Sequence, residues 1–486
     1  MKSCVSIFLL KSLCRVVYVA VLLFASLTMV FAQNPVPQIV GPAEPDAVAP
    51  GSGPFTLTVY GANFVPGAVV NWNRQPRSTT FVSSDELQAE ILASDVAQNT
   101  AGYISVTNPP PGGGESSASW TQVEVHTPTS TIAVNPPIYY GAGGWFTMLA
   151  DFNNDNIPDF VGEYYQTLPL YLGEGNGNFQ FSSIAGRAGY EGTTGAYGDF
   201  NGDGNLDFIF LAGGVRGGPT QATLMLGNGA GQFSVGSYIR ANAVFSDLLA
   251  VGDFNRDGKL DLVTSIGVTQ RLSIYVGNGD GTFQTPSVIE KSIRDVQGIA
   301  VGDFNGDGNL DLVLVQYAGN QIITVYVLFG KGDGTFDYPQ VVSSISDAIP
   351  CISRQYLTVS DFNGDGKPDV AFCTMSQIGI LLGKSDGKFG EPVYTTVDTK
   401  ADGLFNFTTG DFNSDGKSDL MVSEFGSSSQ FSVLFGNGDG TFQSPVIMDS
   451  VQGAGEEGIQ ARDLNLDGLL DFVYQTGAGI AIYTQQ

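Results

Sequence analysis

Asp303-Phe304-Asn305-Gly306-Asp307-Gly308-Asn309-Leu310-Asp311 decides the fold. Positions 1, 5 and 9 are Asp, position 3 is Asn and position 6 is Gly. The pattern Asp-Phe-Asn-x-Asp-x-x-x-Asp recurs seven times, starting at Asp151, Asp199, Asp253, Asp303, Asp361, Asp411 and Asp463, the last with Leu464 for Phe. The spacings are 48, 54, 50, 58, 50 and 52 residues. A period of this size marks a repeat architecture, and it outranks any local reading.

A second string trails the first six units, as in Gly277-Asn278-Gly279-Asp280-Gly281-Thr282-Phe283. Short apolar runs lie between, such as Leu260-Asp261-Leu262-Val263 and Leu272-Ser273-Ile274-Tyr275-Val276. Each unit therefore reads strand, acidic loop, strand, variable loop, strand, Gly-rich turn, strand. Four antiparallel strands in about 50 residues make a propeller blade. The fold class expected is all-β: a seven-bladed β-propeller of four-stranded antiparallel blades over 126–486, preceded by a small β-sandwich. The seventh unit stops at Gln486, soon after its third strand. A spare run, Thr131-Ile132-Ala133-Val134 within 131–138, is expected to supply the missing strand and close the ring.

The acidic loop is a hard-cation site in sequence form. Odd positions offer oxygens, position 7 can offer its carbonyl, and Gly at position 6 permits the sharp turn. Oxygen-only ligands select Ca²⁺ over softer metals. The expected ligands are Asp151, Asn153, Asp155 and Asp159; Asp199, Asn201, Asp203 and Asp207; Asp253, Asn255, Asp257 and Asp261; Asp303, Asn305, Asp307 and Asp311; Asp361, Asn363, Asp365 and Asp369; Asp411, Asn413, Asp415 and Asp419; and Asp463, Asn465, Asp467 and Asp471. An EF-hand needs an acid at position 12, where this chain has Gly162, Phe210, Thr264, Leu314, Phe372, Val422 and Tyr474. The loop is therefore a turn closing a hairpin. Up to seven structural Ca²⁺ are expected. Asp and Asn as simple turn formers are the plainer alternative.

The composition agrees. The chain has 48 acidic and 21 basic side chains and a net charge of −27. The loops alone hold 21 of those acids. Such a charge excludes nucleic acid as a partner. The single histidine, His126, excludes triads, Cys-His dyads and His-rich zinc sites.

Residues 1–32 read as a secretory signal peptide: Lys2, Lys11 and Arg15, an apolar run from Val16 to Phe31, and Val30-Phe31-Ala32 before Gln33. An uncleaved anchor is the alternative. Cleavage would take the charge to −30 and leave Cys351 and Cys373, whose pairing the strand register leaves open. The expected location is secreted, extracellular or periplasmic, without membrane insertion after cleavage.

Residues 33–54 are rich in Pro, Ala and Gly and read as a linker. Residues 55–125 carry short alternating runs, among them Leu57–Tyr60, Val69–Trp72, Leu87–Ile91 and Tyr103–Thr107, and read as the β-sandwich. Gly61, Asn63-Phe64, Pro66-Gly67, Val106-Thr107-Asn108-Pro109 and Gly112-Gly113-Gly114 resemble the IPT/TIG family of immunoglobulin-like domains. That resemblance implies a spacer or binding module. The acidic loops and Gly-rich turns resemble the FG-GAP/VCBS repeat family, whose blades also build the integrin α-subunit propeller and some fungal lectins. The resemblance implies Ca²⁺ in the loop between blade strands one and two.

Binding is expected on the other end of the blades, where loops vary between units. Tyr164, Tyr165, Arg187, Tyr190, Arg216, Tyr317 and Arg354 lie there. Tyr beside Arg suits a sugar or protein surface. The favoured function is a non-catalytic binding or adhesion module for a glycan or a cell-surface or matrix protein. Two alternatives stand beside it: a polysaccharide lyase or dehydratase, and a purely structural envelope or matrix component.

Overall fold

The computed structural model describes residues 33–116, 121–141, 147–164, 167–187, 192–212, 221–240, 248–264, 271–289, 293, 296–317, 321–346, 357–397, 403–425, 430–450, 459–476 and 479–486. The described chain is all-β, without a helix, and so none long and apolar enough to cross a membrane. The signal segment lies outside the described residues.

Seven sheets of four antiparallel strands follow the repeats. The fourth is typical: Val296–Gly302, Asp311–Tyr317, Ile322–Leu328 and Gln340–Ser346, hydrogen-bonded in that order. Its acidic loop joins the first strand to the second, with Gly302 opposite Asp311. The second strand of every sheet begins on the last Asp of the loop. These strands are buried on both faces, as in the all-buried Asp369–Cys373. They therefore read as continuous apolar runs rather than alternating ones.

Packing runs between sheets. Each adjacent pair shares one apolar core: Phe152 and Val161 with Phe208, for example, and Phe304 and Val313 with Val370. The series returns on itself. Leu149, Phe160 and Phe179 of the first sheet share a core with Val473, Ile480 and Ile482 of the seventh. The Leu149 N–H also donates to Gln460 Oε1 at 3.2 Å, joining the first strands of these two sheets. This is the architecture of a β-propeller.

The seventh sheet takes its fourth strand from the front of the chain. Ile138–Tyr140 pairs antiparallel with Gly479–Tyr483. The expected run Thr131–Val134 gives only one bridge, Val134 to Gln485. The pairing strand therefore starts later than that run. Tyr140 explains the choice. Its ring packs edge-on to Phe160 and Phe179, and its hydroxyl accepts the Phe179 N–H at 2.8 Å.

Residues 34–125 form two sheets around one core that includes Leu57, Val59, Phe64, Val70, Trp72 and Val106. The segment 33–54 is not a linker. Gln38–Ile39 pairs with Gly61–Ala62, and Ala47–Val48 runs parallel to Glu124–Val125. Val36, Ile39, Val40 and Ala43 are buried. Proline-rich composition suggested a tether, but these apolar side chains anchor the segment to the sandwich and to the propeller.

Candidate functional site

The seven acidic loops share one hydrogen-bond pattern. The position-1 carboxylate accepts the N–H groups of positions 5 and 6, as Asp303 does from Asp307 and Gly308. The position-3 Asn oxygen accepts the position-5 N–H, as Asn305 does from Asp307 at 2.9 Å. Positions 4 and 6 both take positive φ: 57° at Arg256 and 80° at Gly258, 63° at Leu466 and 88° at Gly468. The sequence signalled only position 6, because Asn154, Arg256, Ser414 and Leu466 hide the second left-handed residue.

Position 9 does more than the sequence suggested. Its two oxygens each accept a backbone N–H, one from position 2 of the loop and one from the Gly-rich turn. Asp311 takes Phe304 at 3.0 Å and Gly330 at 2.8 Å. Asp159, Asp207, Asp261, Asp369 and Asp419 repeat this with Gly173, Gly227, Gly277, Gly383 and Gly436. In the seventh sheet, which lacks the Gly-rich turn, the Gln485 N–H reaches Asp471 at 2.8 Å. This Asp ties three segments of each sheet together.

Position 2 joins neighbouring sheets. Phe152, Phe200, Phe254, Phe304 and Phe362 each pack on the Phe of the next sheet's Gly-rich turn, with ring centroids 5.6 to 5.9 Å apart. Leu464 takes the same role toward Phe179, whose surroundings Tyr140 and Phe160 already fill.

The loops crowd negative charge. Burial pushes Asp311 up to about 8, with the charge of Asp303 adding to it and the Gly330 N–H opposing. Asp419 is pushed up to about 9 by burial, then by Asp411 and Asp415. Among the described residues, no three His, Cys, Asp or Glu side chains converge as a ready-made metal cluster. The carboxylates are turned to backbone N–H groups instead. The donor set still suits a hard cation. The position-9 carboxylate oxygens accept one backbone N–H each and keep a second lone pair, as Asp311 does. Asp257 Oδ1 and Asp415 Oδ1, both at position 5, are buried without a hydrogen-bond partner.

The sandwich sits on this loop-bearing face, a feature no single segment of the sequence announced. Arg74 Nη2 meets Asp151 Oδ2 at 2.8 Å in the first loop. The Val36 N–H donates to Asp253 Oδ2 at 2.9 Å in the third. Asn63 N–H reaches the Gly308 carbonyl of the fourth at 3.3 Å. The Tyr60 hydroxyl stands against Gly366 of the fifth, Ser414 of the sixth donates to Glu124, and the Tyr103 hydroxyl donates to the Asp463 carbonyl of the seventh at 2.8 Å. The second loop instead borders a cleft lined by Arg74, Ser105 and Asn205.

Three of the seven expected binding residues are among the described residues, and none of the three is on an acidic loop. Tyr164 is exposed in the tight turn to Thr167 of the first sheet. Arg187 is exposed just after that sheet's outer strand, and Tyr317 is half-buried against the core between the fourth and fifth sheets. Tyr165, Tyr190, Arg216 and Arg354 lie outside the described residues. Cys373 is disulfide-bonded, which answers the open pairing on its side, although Cys351 lies outside the described residues.

One surface was missed. The outer strand of every sheet carries an exposed apolar residue: Phe181, Tyr238, Val288, Val341, Tyr394, Ile447 and Tyr139. Tyr338, beside the fourth outer strand, is 88% exposed. A groove between the fourth and fifth outer strands is lined by Val341, Ser343, Glu391 and Tyr394. Alternation along those short strands was the available signal.

The FG-GAP-like repeat profile matches residues 151–210, 199–264, 253–314 and 361–422, each running from one acidic loop into the second strand of the next unit. The chain carries FG-GAP-like repeats on a β-propeller. No curated protein matches it in sequence. Among solved structures, the BP39L lectin of Burkholderia pseudomallei is 15% identical, covers 71% of this chain and 98% of its own, and has a TM-score of 0.51. That likeness concerns the fold. A lectin of Agrocybe aegerita that recognises non-reducing terminal N-acetylglucosamine is 15% identical over 85% of this chain and 100% of its own, with a TM-score of 0.45. The Dos1 propeller is 12% identical over 73% of this chain and 95% of its own, with a TM-score of 0.43.

Proposed function

We propose that this is an exported, calcium-stabilised, seven-bladed propeller that binds a glycan without catalysis. Its front domain is read as an IPT/TIG-like, immunoglobulin-fold module over about 34–125. Calcium would be held by the oxygens at positions 1, 3, 5 and 9 of each loop. Bound there, it would neutralise carboxylates that otherwise repel, so that metal binding becomes folding energy. The two unpaired oxygens of Asp257 and Asp415 support this reading.

The observation that carries the binding function is the apolar rim. An isolated exposed Tyr or Val needs no explanation. One or more on each of seven outer strands is a repeated surface. Tyrosine offers a flat apolar face and a polar tip, which suits a sugar ring. The groove containing Tyr394 places such a face beside Glu391 and Ser343, which can hydrogen-bond hydroxyls. Sharing a fold with a lectin accords with this reading.

The test is retention on a broad glycan panel in millimolar calcium. Tyr394→Ala and Tyr338→Ala should weaken retention at least about tenfold while leaving the melting temperature unchanged. A panel with no retained glycan, or retention indifferent to both substitutions, would overturn the reading.

A further inference from the structure

The cleft beside the second acidic loop is lined from both domains. Its volume is about 340 Å³, near the lower end of the roughly 300–1,000 Å³ of ligand clefts. Arg74, Ser105 and Ser116 line it from the sandwich, and Asn154, Asn156 and Asn205 from the propeller. Val36, Ile104 and Leu260, all buried, add an apolar part to the lining. Convergent polar groups beside apolar ones at a domain boundary are the ordinary form of a small-molecule site.

Three of these polar side chains stand where glycine would be the easier residue. Position 6 is Gly in six loops, but the first loop has Asn156 there, at a φ of 67°. Asn154, in the same loop, stands at 65°. Arg74 takes 62° in the two-residue turn between Trp72 and Gln75, at the position where such a hairpin prefers Gly. Side chains kept at left-handed positions against the local preference point to function. The turn is pinned in place. Asn73 Oδ1 accepts the Tyr103 N–H at 2.8 Å, and the Asn73 N–H donates to the Tyr103 carbonyl at 2.9 Å. Arg74 Nη2 makes both described bonds of its guanidinium, to Asp151 and Asn154, which leaves Nε and Nη1 as donors for a ligand. Asn154 Nδ2 in turn donates to Asn205 Oδ1 at 3.0 Å.

The lining also selects on charge. Arg74 is already paired with Asp151, and Asp199 and Glu115 line the same cleft, so an anion meets net negative surroundings. What remains for a ligand is a set of amides, hydroxyls and one guanidinium fork. Amides donate and accept in one plane, which matches neighbouring hydroxyl groups on a ring. We propose that this cleft is a ligand site separate from the rim, and that it takes one neutral polyhydroxylated ring of monosaccharide size. The proposal depends on neither the rim nor the calcium reading. Because both domains supply the walls, an occupied cleft stabilises their joined arrangement.

The test is calorimetric titration of the whole protein, in millimolar calcium, with glucose, galactose, mannose, N-acetylglucosamine and glucuronate. One site per chain should take a neutral sugar, and take it more tightly than glucuronate. N154G/N156G gives the first loop the glycines that Gly202 and Gly204 supply in the second, and neither Asn is an expected calcium ligand. It should weaken this site about tenfold or more and leave the melting temperature nearly unchanged. Asn205→Lys installs the residue that Lys259, Lys367 and Lys417 supply in sister loops. It should weaken the site likewise, and it carries the comparison should the double variant not fold. Tyr394→Ala, at the rim, should leave the site intact. Four results overturn the proposal: no neutral sugar bound, tighter binding of glucuronate, an affinity indifferent to both loop variants, or loss of the site in Tyr394→Ala.

Discussion

Ser414 Oγ donates a 2.7 Å hydrogen bond to Glu124 Oε2, and the residue that accepts it is almost wholly buried. The two stand 290 residues apart. Ser414 occupies position 4 of the sixth acidic loop at a φ of 56°, and Glu124 is the next-to-last residue of the sandwich strand Thr121–Val125. Burial and the charge of Asp411 hold the Glu124 carboxyl well above the usual carboxylate range. One bond thus couples a repeated loop to a domain that does not belong to the repeat.

Asp307 and Asp311 should behave differently although both are loop acids. Asp311 is fully buried and accepts two backbone N–H groups. Asp311→Ala leaves both donors unpaired and should cost about 3 kcal/mol even in chelator. Asp307 is exposed and braces little else, so Asp307→Ala should remove about one bound calcium and change the chelated protein's stability by less than ~1 kcal/mol. Urea unfolding with metal analysis separates the two outcomes.

The inter-sheet aromatic pairs predict a second series. Phe254 is buried and packs on Phe336 with centroids 5.7 Å apart. Phe254→Ala should destabilise by about 3–5 kcal/mol, as core Phe truncations do. Leu464→Phe should also destabilise, by about 1–3 kcal/mol, because Tyr140, Phe160 and Phe179 already fill that site. Restoring the repeat's own residue would thus weaken the protein, and thermal unfolding reads the sign.

The closing strand gives a third. Tyr140→Phe keeps the ring packing and removes only the acceptor for the Phe179 N–H. It should cost about 1–2 kcal/mol, whereas Tyr140→Ala should cost about 3 kcal/mol or more. Equal effects from the two would show that the ring packing matters little there.

Arg74 gives a fourth. Its guanidinium lies 2.8 Å from Asp151 Oδ2 and 2.9 Å from Asn154 Oδ1, on the loop where calcium is proposed. A fixed positive charge there opposes a divalent ion. Arg74→Gln should tighten one calcium site several-fold, with a stability change of less than ~1 kcal/mol because the side chain is 36% exposed. Calorimetric titration would show the change.

Much of the propeller was legible because its signals repeat. Seven copies of one loop set the strand order of each unit, and the buried second strands showed as apolar runs after each position-9 Asp. What the sequence hid has physical causes. The role of position 9 as a brace depends on N–H groups from a turn 14 to 20 residues away, such as Gly173 and Gly227. The 33–54 segment looked like a tether because proline content does not reveal that Val36 and Ile39 find buried sites. The start of the closing strand was misplaced because Thr131–Val134 alternates whereas Ile138-Tyr139-Tyr140 does not, and the Tyr140 contacts that favour the later strand have no local signal. Docking of the sandwich on the loops depends on residues as far apart as Tyr103 and Asp463, which no local pattern connects.

The most direct test of the central claim, that the acidic loops are calcium sites that hold the propeller together, is thermal unfolding of the same protein in millimolar calcium and in excess chelator. Several sites, each contributing roughly 1–2 kcal/mol at such concentrations, should raise the melting temperature by about 10 °C or more over the chelated protein. Melting curves that superimpose in calcium and in chelator would contradict the account.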